Sequence, residues 1–324
     1  MLKVSLMRLT ALAAGVLLLA PAFAQSPAPT PSGAWTMKKP LPGGPRNEVA
    51  LAAVGDKVFV VGGHIGGNAV PQVDEYDPVT ETWKARAPMP KGLDHLGIAV
   101  LAGKIITVGG FIGSVHRGAV ADVYQYDLVA DAWRALAPLK TGRGSVAAAV
   151  LDGKLHAIGG RGVDNTFTVG MHEVYDPATD RWSEAAPMPT ARDHMALVAI
   201  DGKLHAIGGR VTNPQSRVAA HEIYDPKTNS WTAGPPLPTA RSGLAYAAYQ
   251  GQIVVLGGEL PPSTFAENEA FDPKRNTWRT FAAMPHGRHG TGAAVVGNTI
   301  YLAAGSLKPG SGEVTDQLIA FTLR

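Results

Sequence analysis

A Gly-Gly pair recurs at positions 62–63, 109–110, 159–160, 208–209 and 257–258, with Ala304-Gly305 as a degenerate sixth, so the chain repeats at steps of 47, 50, 49, 49 and 47 residues. A period of this size makes each unit one supersecondary motif that cannot bury its apolar face alone, and neighbouring units must stack to form a core. Other marks keep the same register. An aromatic-Asp pair follows each of the first five (Tyr76-Asp77, Tyr126-Asp127, Tyr175-Asp176, Tyr224-Asp225, Phe271-Asp272), and a tryptophan lies seven residues later at 83, 133, 182, 231 and 278. Ten residues after each Trp stands Leu93, Arg143, Arg192, Arg241 or Arg288, and sixteen after that comes the next glycine pair, or Ala304-Gly305 in the last case.

Within one period the pattern resolves into four short strands. The first is rich in small residues (ALAAV, GIAVL, VAAAVL, ALVAI, LAYAAY, GAAVV), and a two-residue turn such as Asp152-Gly153 or Asp201-Gly202 leads to the second. Asp-Gly between apolar runs favours the mirror-image hairpin turn that matches strand twist. The third strand ends at aromatic-Asp and the fourth carries the Trp. Alanine is a poor strand former, so its abundance in the first strand needs a physical reason. Sheets arranged radially crowd at the centre, where only small side chains fit, while a Trp on the outermost strand fills the wider gap between sheets. That taper is the requirement of an all-β propeller. The sixth repeat stops at Arg324 without its Trp, but Trp35 stands eleven residues before Arg46, which itself lies sixteen before Gly62. The segment from Ala34 to Lys39 is therefore expected to supply the outer strand of the last sheet. Six blades of four antiparallel strands, spanning 34–324, follow.

The joint spacing of Gly-Gly, Tyr-Asp and Trp, from Trp35 to Arg324, resembles the Kelch repeat. The resemblance implies a propeller and leaves function open, because Kelch propellers serve as binding modules, oxidases and sugar isomerases.

The first 24 residues carry Lys3 and Arg8, an apolar run from Leu9 to Ala20, and Ala22-Phe23-Ala24, the order of a secretory signal peptide. A Pro/Ser-rich linker over 25–33 follows. A periplasmic or secreted location is expected. The formal charge is +3, and removal of Lys3 and Arg8 leaves about +1, which gives no case for nucleic acid or membrane as partner. With no cysteine the chain has no disulfide and no thiolate metal site. No cofactor and no metal are implied, and a monomer is expected. His286 and His289 alone resemble a metal pair, without a third ligand at fixed spacing.

Two rings of side chains are expected to share one mouth of the propeller, since the first and second strands run antiparallel through a tight turn. The ring before the first strands is Arg46, Leu93, Arg143, Arg192, Arg241 and Arg288; the ring after the glycine pairs is His64, Phe111, Arg161, Arg210, Glu259 and Ser306. The longer, more varied loops open on the same face, where function tends to sit. The arginines of the first ring read either as ligand contacts or as ties from one blade's backbone to the next. Arg161, Arg210 and Glu259 vary between blades, so the scaffold does not prescribe them and ligand contact is the better reading. Guanidinium forks suit carboxylates, phosphates and sulfates. His95 and His194 point near the pore, while His156 and His205 stand where other blades have Phe59 and Tyr301.

The first functional expectation is a binding module that takes an anionic small molecule, an acidic glycan or an acidic protein loop, with Arg161, Arg210, Arg46, Arg143, Arg192, Arg241, Arg288, His64 and Phe111 as candidate contacts. Galactose-oxidase-like chemistry needs a cysteine that this chain lacks, and the sialidase S-x-D-x-G-x-x-W box is absent. The alternative is an enzyme. LPGGPR at Leu41 to Arg46 and GGEL with PPST at Gly257 to Thr264 resemble segments of the bacterial periplasmic sialic-acid mutarotases, which are also Kelch propellers. That resemblance implies Glu259 as the general acid and base and arginines as a clamp on the substrate carboxylate.

Overall fold

The computed structural model describes residues 32–113, 116–162, 167–212 and 216–323. The expected signal peptide and nearly all of the linker lie outside the described residues. No helix of the described residues is long and apolar enough to cross a membrane.

Six four-stranded antiparallel sheets surround an axis. The first blade consists of Ala50–Val54, Lys57–Val61, Val73–Asp77 and Thr82–Arg86, in that order from the axis outward. The sixth takes Ala293–Val296, Thr299–Ala303 and Leu318–Thr322 from the C-terminal end and Ala34–Lys38 from the other, with Trp35 opposite Phe321. The innermost strands of successive blades touch around the ring, Ala50–Val54 meeting Ala293–Val296 to close it. Closure leaves every inner edge covered.

The physical reasons for the repeat marks are visible. Asp152 and Gly153 have φ of 50° and 73°, both left-handed as the mirror-image turn requires. Gly109 lies at φ 58°, and a Cβ there would stand 2.2 Å from the Arg143 carbonyl oxygen. The next glycine, Gly110, donates its N–H to that same carbonyl at 3.1 Å. Equivalent bonds run from Gly63 to Leu93, Gly160 to Arg192, Gly209 to Arg241, Gly258 to Arg288 and Gly305 to Arg46. Each glycine pair thus stitches its blade to the next near the axis.

The tryptophans stitch the rim. Each indole N–H donates to a carbonyl of the preceding blade: Trp35 to Ala282, Trp83 to Lys39, Trp133 to Ala87, Trp182 to Ala137, Trp231 to Ala186 and Trp278 to Pro235, all within 2.7–3.0 Å. Apolar clusters fill the gaps between sheets. Val58, Val60 and Tyr76 of the first blade pack on Ala294, Tyr301 and Ala303 of the sixth. In the third and fourth blades histidines take part in this packing. His156 and His205 are buried, each Nδ1 lying 2.8 Å from Nε2 of a second buried imidazole, His172 and His221 respectively.

Candidate functional site

The five ring arginines are 0–2% exposed. Arg192 shows the pattern: Nε donates to Gly208 O, Nη2 to Ala206 O, and Nη1 to Thr190 O and the Glu222 carboxylate. Arg143 pairs with Glu173, Arg241 with Glu269 and Arg46 with Asp74, while Arg288 meets the neutral Gln317. Every one of these partners belongs to the arginine's own blade. The guanidinium therefore braces the inner strands of one sheet, which corrects the expected blade-to-blade tie, and the candidate contacts Arg46, Arg143, Arg192, Arg241 and Arg288 are all enclosed and engaged within their own blades. Leu93, the odd member, is fully buried.

The second ring is also enclosed. Phe111 is 0% exposed and its ring fills the space a Cβ on Gly144 would take. His64 is buried at the start of a two-stranded hairpin. Arg161 is 6% exposed and lies 3.8 Å from Asp193. Arg210, 1% exposed, bonds Asp193 Oδ1 at 3.1 Å and Glu259 Oε1 at 2.9 Å. Glu259 also accepts from Gly310 N–H at 3.1 Å and lies 3.5 Å from His289 Nε2. Burial alone would raise its carboxyl pKa, but His289, the Gly310 N–H and Arg210 outweigh that and hold it below the usual value. The open basic funnel expected from the sequence is instead a charge-compensated buried network.

A third ring, two residues beyond the first, meets at the axis: Glu48, His95, Ser145, His194, Gly243 and Gly290 all have left-handed φ, between 50° and 68°. Sequence reasoning had noticed only its two histidines. A further residue of the site, His116, comes from the loop after Gly110 and was missed because that loop has no periodic position. The rings of His95, His116 and His194 have centroids 4.6–5.1 Å apart. Asp94 accepts from His95 Nδ1 at 2.7 Å, Asp193 accepts from His194 Nδ1, and Glu48 Oε2 lies 3.0 Å from His95 Nε2. Burial lowers the basicity of His116 and His194, helped by the neighbouring Arg210 charge. Burial would do the same at His95, but Glu48 and Asp94 reverse it and raise its pKa. Along the axis a cavity of about 210 Å³ is lined by this ring and by small residues such as Ala50, Ala147 and Ala293.

Residues 138–305 match the model of the KLHDC2/KLHL20/DRC7 Kelch-repeats domain, and residues 45–90 and 94–140 match the Kelch motif. The chain belongs to the Kelch-repeat family. Among curated Kelch relatives, Kelch-like protein terF of Aspergillus terreus is 42% identical over 71 residues, 20% of this chain and 16% of that protein. Kelch-like protein 35 of Homo sapiens is 38% identical over 60 residues, 18% of this chain and 10% of that protein. These alignments span a small part of the relatives' length. The solved structure of YjhT superposes with a TM-score of 0.73 at 19% identity, covering 86% of this chain and 95% of that one, a likeness of fold.

On this Kelch propeller His286 is exposed whereas His289 is buried, its Nε2 meeting the carbonyls of Lys308 and Gly310 at 3.1 and 2.9 Å, so the two do not form a pair of ligands. The mouth face carries exposed side chains that sequence reasoning did not select. Ile112 and Phe167 are 51% and 56% exposed on the loops of the second and third blades. Arg117 and Arg217 are exposed on the loops of the second and fourth.

Proposed function

We propose that this Kelch propeller is a recognition module, exported to the periplasm or medium, that binds an acidic protein loop on the face where its long loops open. The observation that carries the reading is the combination on three successive blades of exposed Ile112 and Phe167 with exposed Arg117 and Arg217. Varied loops held by a rigid scaffold are where binding residues concentrate, and guanidiniums on these loops select carboxylates. The buried arginines braced by carboxylates make the scaffold rigid and leave recognition to the loops. Screening the purified protein on an array of acidic peptides and glycans tests this. Binding to acidic peptides should fall at least about tenfold, equivalent to about 1.4 kcal/mol, in Arg117→Ala/Arg217→Ala and in Ile112→Ser/Phe167→Ser, with melting temperature unchanged. No binding to any acidic peptide, or binding indifferent to both double variants, defeats the reading.

A second reading draws on one specific observation, the enclosed Glu259 carboxylate held between Arg210 and His289. Under it, Glu259 moves the anomeric proton of an acidic sugar as the mutarotase resemblance implies. Its lowered pKa favours the anion and disfavours the acid half of that role. Proton NMR of fresh α-sialic acid decides: accelerated anomerisation abolished in Glu259→Gln supports catalysis, and equal rates with and without protein exclude it.

A further inference from the structure

We propose that His95, His116 and His194 form a binding site for one divalent transition-metal ion at the propeller axis.

Three imidazoles from three separate stretches of chain converge there, and one ligand atom from each lies within 4.8 Å of the others. His116 Nε2 and His194 Nε2 are 3.2 Å apart. A tetrahedral site with metal–nitrogen bonds of about 2.0–2.1 Å has ligand-to-ligand edges of about 3.3 Å, so these two nitrogens already stand near the required separation. Glu48 Oε2, 3.0 Å from His95 Nε2, places a carboxylate beside the cluster.

The surroundings resemble a built metal site in a second respect. Asp94 and Asp193 hold Nδ1 of His95 and His194. Such carboxylate–imidazole pairs fix the tautomer and turn Nε2 toward the ion, as outer partners of metal-bound histidines do. Glu48, His95 and His194 share their left-handed φ with Ser145, Gly243 and Gly290 at the same place in the other blades, so the repeat sets that conformation and aims these side chains at the axis.

Charge permits a dication. Glu48, Asp94, Asp193 and Glu259 outnumber the two guanidiniums of Arg161 and Arg210 nearby. Arg210 is the obstacle: its Nη2 donates to His194 Nε2 at 2.9 Å and lies 3.3 Å from His116 Nε2, using the lone pairs the ion needs. Its other nitrogens are anchored, Nε on Asp193 and Nη1 on Glu259, and because the guanidinium is a rigid plane the whole group must swing away from these partners when an ion takes the imidazole nitrogens. Nitrogen-rich ligation of this kind suits zinc, cobalt, nickel or copper and not magnesium or calcium.

The experiment is equilibrium dialysis of tag-free, chelator-treated protein against Co(II), with the ligand-field spectrum read in the visible. One equivalent per chain with a visible band is expected. His116→Gln, on a loop, should abolish the band, and Asp193→Asn should weaken binding by about 10- to 100-fold, both checked as folded by their melting curves. Arg210→Gln should bind more tightly, because it removes the competitor. Zn(II) should raise the melting temperature of the wild type and not of His116→Gln. A stoichiometry near zero, or a Co(II) spectrum unchanged in His116→Gln, overturns the site; so does weaker binding in Arg210→Gln.

Discussion

The indole N–H of Trp35 donates to the carbonyl of Ala282 at 2.8 Å, across 247 residues of sequence. This one bond sits at the seam where the two ends of the ring meet. The other five tryptophans make the same bond within the continuous chain, and because Trp83 donates to the carbonyl of Lys39, removal of the N-terminal segment through Lys39 deletes two of the six rim bonds.

Deleting Ala34 to Lys39 therefore exposes the edge strand Leu318–Thr322 and strips Trp35 from Phe321, whose rings lie 5.1 Å apart. The truncated chain is expected to melt cooperatively at a much lower temperature or to aggregate through the bared edge. Trp35→Ala alone should cost about 3 kcal/mol, the low end for loss of a large aromatic, because its ring is only part-buried. Denaturant unfolding of both proteins checks this, and a truncation that unfolds like the intact chain refutes closure by the N-terminal strand.

The bracing arginines should not all matter equally. Arg192→Met strands the Glu222 carboxylate in the interior and should cost about 3–5 kcal/mol. Arg288→Met leaves only the neutral amide of Gln317, so a loss nearer 1–3 kcal/mol is expected. The Arg288 guanidinium, desolvated with no carboxylate beside it, has its pKa pulled down to about 10. Equal losses in urea unfolding at neutral pH would show that packing of the side chain, and not charge, sets the cost.

Acid should unfold this propeller early. Burial holds His156 and His221 at a pKa of about 4 and His172 and His205 at about 3, against about 6.5 in the unfolded chain. Since the folded value is the lower, the unfolded state takes up protons first. The stabilisation is complete above about pH 6.5 and is lost as pH falls toward 3–4, at up to about 1.4 kcal/mol per pH unit for each imidazole. Urea unfolding from pH 7 to pH 5 should show this slope, and His156→Phe should flatten it. Stability indifferent to pH over that range would contradict protonation-sensitive pairs.

Gly109→Ala offers a sharp test of the inner stitching. The new Cβ stands 2.2 Å from the Arg143 carbonyl and the backbone has φ 58°. Gly153→Ala, at φ 73° with nothing within 4 Å of the Cβ, carries the conformational penalty alone. Thermal unfolding should separate the two by more than about 1 kcal/mol, since Gly153→Ala reports only the left-handed strain. Equal melting temperatures would remove the steric reason for the glycine pair.

The propeller was legible because its marks are imposed by geometry that every blade shares: the glycine at the crowded carbonyl, the Trp at the rim, the small residues at the axis. The ring arginines were as regular, and that regularity argued for scaffold, but their affinity for anions drew a ligand reading. The deciding sign was present. An acid stands two residues before the strand-three aromatic at Asp74, Glu173, Glu222 and Glu269; it is missing from the second blade, which has Leu93 in place of Arg and Tyr124 in place of the acid, and from the sixth, where Ile319 stands there and Arg288 meets Gln317 instead. The site itself was only half readable. His95 and His194 occupy repeat positions, whereas His116 reaches them from an irregular loop, and nothing in the spacing ties it to residue 194, 78 positions away.

The left-handed ring at the axis has one more implication. Because Glu48, His95, Ser145, His194, Gly243 and Gly290 share one backbone conformation whatever their side chains, each blade offers an interchangeable socket facing its five counterparts. Six letters of the sequence can then be rewritten to change the chemistry of the centre while the wheel that carries them stays the same.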